Sequence, residues 1–335
     1  MPVALKVATG IDAAMLGQPM LHNIWKRVSR EVILFLAFFL PADKKRDLER
    51  RLRGQEEFRK LKLADVVIVS FGKSGRTWVR VLLSRFFQLR FGLKPSAFIG
   101  FDNLHRKNDG IPRVFFTHDN YLRDYTGNRD SKRDFYDKKV VLLVREPADV
   151  AVSQFHQWKF RMRPHKKGLN QYPEHGSDVD VFKFTMDETA GLPKVIGFMN
   201  GWAKELPNLK QILVVRYEDL RRDTAGELKR ILEFMGQRPT EAELKDCVAF
   251  ASVENMRALE TKRVFWLAGS RMRPGDKANP DSFKVRRAKV GGYRDYFDEA
   301  QLRQLEAMVE ERLLPGFGYR AAERAEPAPR AAASA

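Results

Sequence analysis

The stretch VVIVSFGKSGRTWVRVLLSRFFQLR, Val66 to Arg90, decides the fold. Val66 to Ser70 is a short β-branched run of the kind found in a strand buried on both faces. From Trp78 onward the apolar positions Val79, Leu82, Leu83, Phe86 and Phe87 recur at helical spacing. Between strand and helix lies the turn SFGKSGRTW, Ser70 to Trp78. Gly72 and Gly75 allow tight turning, so that successive N–H groups can face an anion at the helix N-terminus. Lys73 brings a mobile cation to that place, and Ser74 and Thr77 bring hydroxyl donors. The nucleotide-triphosphate signature GxxxxGK[ST] is absent, because Lys73 directly follows the first glycine. Alone, the turn is a weak signature, since an ordinary strand-to-helix loop can carry the same residues.

Outward from this unit the pattern repeats. Val140 to Val144 (VVLLV) ends at Arg145-Glu146-Pro147 and opens a helix, and Ile212 to Val215 (ILVV) runs into Arg216-Tyr217-Glu218-Asp219. Three strand–loop–helix units without a long linker predict a single α/β domain with a central, mostly parallel β-sheet flanked by helices. Three stretches, Phe101 to Asp137, Arg161 to Asp180 and Lys262 to Val285, are long, polar and rich in Gly, Pro and Asn, and read as lids or binding loops. Glu241 to Met256 reads as one helical run, and it holds the lone cysteine, Cys247. A single thiol makes no internal disulfide, and Cys247 is read as a small apolar packing residue. No His or Cys cluster suggests a metal. The low-complexity end, AAERAEPAPRAAASA from Ala321, reads as disordered.

Composition bounds the partners without choosing one. The 335 residues carry 61 Lys and Arg against 43 Asp and Glu, a net +18 that favours nucleic acid, a membrane surface, a sugar-phosphate cofactor or an acidic polysaccharide. Near the N-terminus, VILFLAFFL from Val32 to Leu40 is flanked by Lys26, Arg27 and Arg30 before it and Lys44, Lys45 and Arg46 after it. Such a run falls far short of the ~20 residues that cross a bilayer, and its flanks do not fit a signal peptide. It is either a helix docked on the core or an interfacial anchor on an anionic membrane. Asp43 to Lys62 reads as a charged helix leading into the main domain.

The motifs together resemble a known family. KSGRTW is similar to the 5′-phosphosulfate motif of sulfotransferases that use 3′-phosphoadenosine 5′-phosphosulfate (PAPS). VLLVREPADVAVSQFHQW (Val141 to Trp158) resembles the family's 3′-phosphate motif, in which a Ser follows eight residues after the Arg. RYEDLRRDTAGELKRILEFMG (Arg216 to Gly236) is similar to its Tyr-Glu-Asp-Leu segment, and VRRAKVGGYRDYF (Val285 to Phe297) resembles its C-terminal Arg-Lys-Gly-x-x-Gly-Asp-Trp motif.

The resemblance implies a P-loop-NTPase-like sulfotransferase fold over residues 63–318, preceded by an extension over 1–62 and followed by a tail over 319–335. It implies PAPS as co-substrate, held by Lys73, Ser74, Gly75, Arg76, Thr77, Trp78, Arg145, Ser153, Tyr217, Arg286, Arg287 and Ala288, with no metal. Lys73, His118 and Ser153 take the catalytic places: His118 in VFFTHDNY as base, Lys73 at the leaving phosphate oxygen, and Ser153 restraining the lysine until an acceptor arrives. A hydroxyl-bearing small molecule, a carbohydrate or a glycolipid fits as acceptor. The loops near Arg106, Tyr121, Arg161 to Asp180 and Phe265 to Lys277 would shape its pocket. The implied setting is cytoplasmic, with a peripheral place on a membrane's inner face under the anchor reading and no nucleic-acid partner. The family's C-terminal dimer motif is not recognisable around Arg294 to Arg303, which leaves the oligomeric state open.

Several positions depart from the family pattern. Arg76 stands where Thr is usual, Phe116 where Lys is, Ala288 where Gly is, Val253 where Phe is, and Gly292 and Tyr293 where Asp and Trp are. Two other classes compete. A P-loop kinase would need a Walker-type lysine placement, which is missing, and a Mg²⁺ carboxylate after a later strand, for which Glu218-Asp219 is a weak candidate. A non-catalytic basic module would explain the charge but not four ordered motifs.

Overall fold

The structure, a computed structural model, describes residues 19–262, 264–265, 272, 274–276 and 278–324. The side chains of Lys26 and Arg27, most of the 265–277 loop and the chain beyond Arg324 lie outside the described residues. Helices α1 (Pro19–Leu36) and α2 (Ala42–Leu63) precede β1 (Val66–Ser70) and α3 (Arg76–Arg90). Next come β2 (Val114–Thr117), α4 (Leu122–Thr126), β3 (Lys139–Val144), α5 (Pro147–Phe160), α6 (Pro164–Leu169), α7 (Val181–Met186) and α8 (Leu192–Ala203). The chain continues through β4 (Gln211–Arg216), α9 (Tyr217–Arg222), α10 (Thr224–Phe234), α11 (Glu241–Phe250) and α12 (Val253–Lys262), and ends in α13 (Glu299–Arg312) and α14 (Ala321–Arg324).

The strands form one parallel sheet in the order β2-β1-β3-β4, with Val66 beside both Val114 and Lys139, and Lys139 beside Gln211. Alternation across the sheet explains its two-sided burial. Val66 and Ile68 of β1 join Val141 and Leu143 of β3 against α3, α10 and α11 on one face. Val67, Val69, Val140, Leu142 and Val144 pack against α5, α8 and α13 on the other. The chain leaves β1 towards β2 and leaves β3 towards β4, so the connections diverge between two neighbouring strands. That divergence opens a crevice at their carboxyl ends, where open α/β sheets hold ligands.

Three sequence expectations change. The tail read as disordered from residue 319 opens with Tyr319, buried and donating its hydroxyl to Glu218 at 2.7 Å, and with the short helix α14. Val114 to Thr117, placed within a loop, is the edge strand β2. Its four residues are too few for a periodic signal, and aromatic Phe115 and Phe116 replace the usual β-branched run. The run from Glu241 to Met256 is not one helix. It stops at Phe250, and the Ser252 hydroxyl accepts the Asn255 N–H at 3.2 Å to start α12.

The N-terminal apolar run is split by face. Leu34 and Ala37 are buried, whereas Phe35 (74 %), Leu36 (63 %), Phe38 (76 %) and Phe39 (62 %) are exposed. Among the described residues no helix is long and apolar enough to cross a membrane. Helix α2 packs tightly on the segment after β2. A Cβ at Gly54 would lie 2.2 Å from the Tyr121 carbonyl oxygen, so only glycine permits the approach.

Candidate active site

The crevice between β1 and β3 is a cavity of about 710 Å³. The turn after β1 forms its floor. Lys73 (φ 74°) and Gly75 (φ 91°) both occupy the left-handed region, and Gly75 caps α3. At Gly75 a Cβ would meet the Tyr217 ring at 2.8 Å, so glycine serves conformation and packing together. The first N–H groups of α3 have no carbonyl within the helix to accept them, which leaves donors at this point. Gly75, Arg76, Thr77 and Trp78 line the cavity with Lys73. The Ser74 side chain does not: it is buried behind the turn.

Cations converge on Lys73. Burial first, then the charges of Lys284, Arg161, Arg286 and Arg145, pull its ammonium well below the usual lysine range. Arg145 leaves the end of β3 and donates to the Lys73 carbonyl at 3.3 Å and to Asp149 at 3.1 Å, beneath the Tyr217 ring. Its Nε is buried with no hydrogen-bond partner among the described residues. Asp149 also accepts the N–H groups of Gly291 and Tyr293, each at 2.9 Å, and so ties the C-terminal loop to α5. That loop brings Arg286, which donates to the Tyr296 hydroxyl at 2.8 Å, and Arg287, which pairs with Asp295 at 3.0 Å. Ala288 lies between them and Lys289 at φ 53°, adopting the glycine-like conformation despite its Cβ. Ser153, on the inner side of α5, lines the same space.

Trp78, Tyr217, Val253 and Met256 supply an apolar wall. The Trp78 indole is held by an N–H bond to the Ala251 carbonyl at 2.9 Å, at the break between α11 and α12. Val253 therefore occupies the wall, as its register with the family's Phe implies, but with a smaller side chain.

His118 follows β2 and reaches across to β1. Its Nδ1 lies 2.7 Å from the Ser70 carbonyl, which can only accept, so Nδ1 carries the proton and Nε2 bears the lone pair. A guanidinium N–H of Arg76 meets that lone pair. Burial, and next the Arg76 charge, hold the imidazole well below its usual value. Phe116 lies in the same wall under the Arg80 guanidinium, 3.7 Å from the ring centre.

Of the catalytic and cofactor-binding residues read from sequence, all but Ser74 line this one cavity. Sequence reasoning missed Lys284, which adjoins the C-terminal motif and could have been found by that adjacency. It also missed Arg50 and Glu57 on α2 and Lys194 on α8, for which no local signal exists. Burial, and next Asp119, push the Glu57 carboxyl up to about 7. Tyr121, Met162, Lys166 and Tyr172 line the cavity as the loop reading expects. Arg106 does not; it pairs with Asp102 at 3.1 Å. Glu218 accepts the Glu146 N–H at 2.9 Å and the Tyr319 hydroxyl at 2.7 Å, and neither it nor Asp219 lines the cavity. Among the described residues no group of three or more His, Cys, Asp and Glu side chains could hold a metal ion. Burial, then Asp246, push the Cys247 thiol up to about 12, consistent with a packing residue.

Comparison with known proteins joins these features. The family model described as Sulfotransferase domain matches residues 63–316. This chain belongs to the sulfotransferase family. Cytosolic sulfotransferase 17 of Arabidopsis thaliana is 26 % identical over 294 residues, 81 % of this chain and 80 % of the relative. Sulfotransferase 6B1 of Homo sapiens is 24 % identical over 257 residues, 74 % and 75 % of the two chains. Among solved structures, mouse sulfotransferase SULT7A1 complexed with PAP has a TM-score of 0.50 at 18 % identity, covering 81 % of this chain and 92 % of its own. Retinol dehydratase in complex with retinol and PAP gives 0.53 at 18 % identity, covering 78 % and 85 %. These likenesses identify the sulfotransferase fold, and α1 and all of α2 but Leu63 lie before the segment matched by the family model.

Proposed function

We propose that this sulfotransferase moves the sulfuryl group of PAPS to a hydroxyl or amine of a small acceptor. One observation carries the reading: Lys73, Arg145, Lys284 and Arg286 line one cavity into which a histidine also opens. Such an array suits a ligand with two separated anionic ends. The residues present fit PAPS. The turn and Lys73 would hold its phosphosulfate; Arg145, with an orphaned Nε, together with Ser153, Arg286 and Arg287 would hold the 3′-phosphate. Trp78, Tyr217 and Val253 would face the adenine. PAP in the two solved relatives supports the same assignment.

When bound, PAPS supplies an electrophilic sulfur whose leaving group is a phosphate oxygen. His118 Nε2 takes the acceptor proton as the acceptor oxygen attacks, and the Ser70 carbonyl holds the ring in the tautomer that allows it. For this the acceptor must displace Arg76 from the lone pair, which frees that guanidinium for the phosphosulfate. Lys73 stabilises the charge that develops on the leaving oxygen. Ser153 restrains Lys73 beforehand. A carbohydrate, a glycolipid or a smaller hydroxyl compound is the acceptor; retinol and androsterone in solved relatives are of the last kind. Product formation with PAPS but not with ATP and Mg²⁺, with heat on titrating adenosine 3′,5′-bisphosphate (PAP), tests the reading. No heat with PAP would refute it.

The exposed edge formed by Phe35, Leu36, Phe38 and Phe39 next to Lys44, Lys45 and Arg46 favours a second reading: a cytoplasmic protein seated on an anionic membrane. Flotation with anionic liposomes, compared with a form lacking residues 1–42, tests it. Equal flotation of the two forms removes the anchor.

A further inference from the structure

The cavity is far more basic than a neutral acceptor needs. Among the described residues Glu57 and Asp149 are its only lining carboxylates, and Asp149 is committed to Arg145. Away from the cations around Lys73, a second group surrounds Tyr121. Lys166 on α6 donates to the Tyr121 hydroxyl at 3.3 Å, and that hydroxyl donates to Asn170 at 3.0 Å. Lys194 on α8 donates to the Asn170 carbonyl at 2.9 Å and stands 4.2 Å from the centre of the Tyr172 ring. Both lysines line the cavity, both are partly buried, and among the described residues no carboxylate lies within ion-pair distance of either. Arg50, by contrast, has its carboxylate partner, Asp124, at 2.9 Å.

Partly buried ammonium groups without a carboxylate at ion-pair distance cost desolvation that neutral hydrogen-bond acceptors and more distant carboxylates offset only in part. Burial leads in lowering both lysines, followed by Arg53 for Lys166 and Arg50 for Lys194, each to about 8, so both still carry charge at neutral pH. Glu57 faces the same space but pairs with neither: it accepts from the Thr117 hydroxyl and from the Tyr121 N–H, each at 3.4 Å. We propose that Lys166 and Lys194 form a subsite for a carboxylate or like oxyanion on the acceptor, with Tyr121 and Tyr172 against its ring or sugar face. The acceptor class is then a hydroxyl compound that already bears a negative charge. This rests on the transferase reading above, in which the other cation group is taken by PAPS.

Matched pairs that differ only as acid and amide provide the test: 4-hydroxyphenylacetate with 4-hydroxyphenylacetamide, and glucuronate with glucuronamide. Their binding is measured by calorimetry on the full chain, with and without PAP, and on Lys166→Met, Lys194→Met and the double variant. At least one acid should bind about tenfold or more tightly than its amide, as charge-assisted contacts imply. The double variant should lose most of that preference while still binding PAP. Equal binding of acid and amide in both pairs, or a preference that survives the double substitution in a PAP-binding protein, overturns the subsite. Failure to bind PAP instead strikes the transferase reading, whatever the acids do.

Discussion

His118 Nδ1 donates to the Ser70 carbonyl at 2.7 Å, a bond that joins the end of β2 to the end of β1 and leaves Nε2 facing the cavity. Because burial and then Arg76 depress this imidazole, it stays neutral at pH values where a free histidine is already charged. A base works in its neutral form, so kcat/KM should hold on acidification until below the ordinary imidazole value of about 6.5. In Arg76→Thr the neighbouring cation is gone, and the acid limb should move to higher pH. His118→Ala should lose about 10²–10⁴-fold in turnover while still binding PAP. Near-normal turnover, or an acid limb that ignores Arg76, would contradict the assignment.

Lys73 tests the anion site through protons. Its ammonium is depressed in the free protein by burial and then by Lys284. A bound phosphate favours the charged form and raises it again, so PAP binding should take up protons over the pH range in which the free ammonium has lost its charge. Calorimetry in buffers of different ionisation enthalpy reads that uptake directly. Lys73→Met should abolish it and reduce turnover about 10²–10³-fold. Proton-neutral binding by the wild type would remove the argument from crowding.

Asp149 latches the C-terminal loop by accepting from Arg145, Gly291 and Tyr293. Asp149→Ala strands the guanidinium and two N–H groups. We expect a loss of stability of about 3–5 kcal/mol in denaturant unfolding, and weaker PAP binding at a temperature where the variant is folded. Unchanged PAP affinity in that folded variant would separate the loop from the ligand.

Ala288 holds φ 53°, where a Cβ costs about 1–2 kcal/mol. Glycine returns part of this gain through the freer unfolded chain, about 0.4–1 kcal/mol. Ala288→Gly should therefore raise the unfolding midpoint slightly. A fall would show that the loop bears no strain there.

Local chemistry made much of this molecule legible in advance. The strand at Val66 to Ser70, the turn at Lys73 and the cations at Arg145 and Arg286 each carry a residue-level reason, and the structure brings them to one crevice. The edge strand at Val114 to Thr117 was hidden, because four residues beside a single neighbour need little periodicity to pair. Ser74 illustrates a further limit. A pattern gives the order of residues in a turn, while the path of the backbone decides which side chain faces inward. Lys194 and Glu57 were invisible for a different reason: they arrive from distant helices, and only tertiary packing brings them to the cavity that His118 also lines.

The close seating of Gly54 on Tyr121 has a consequence for how such a protein can change. A wall of the chamber belongs to a helix that, save for its last residue, precedes the family-matched segment and carries neither the turn at Lys73 nor the imidazole. Substitutions along that one helix can redraw which molecules are admitted, leaving the transfer machinery as it stands. Conversely, any side chain placed at position 54 would lever the helix away and breach the chamber from behind.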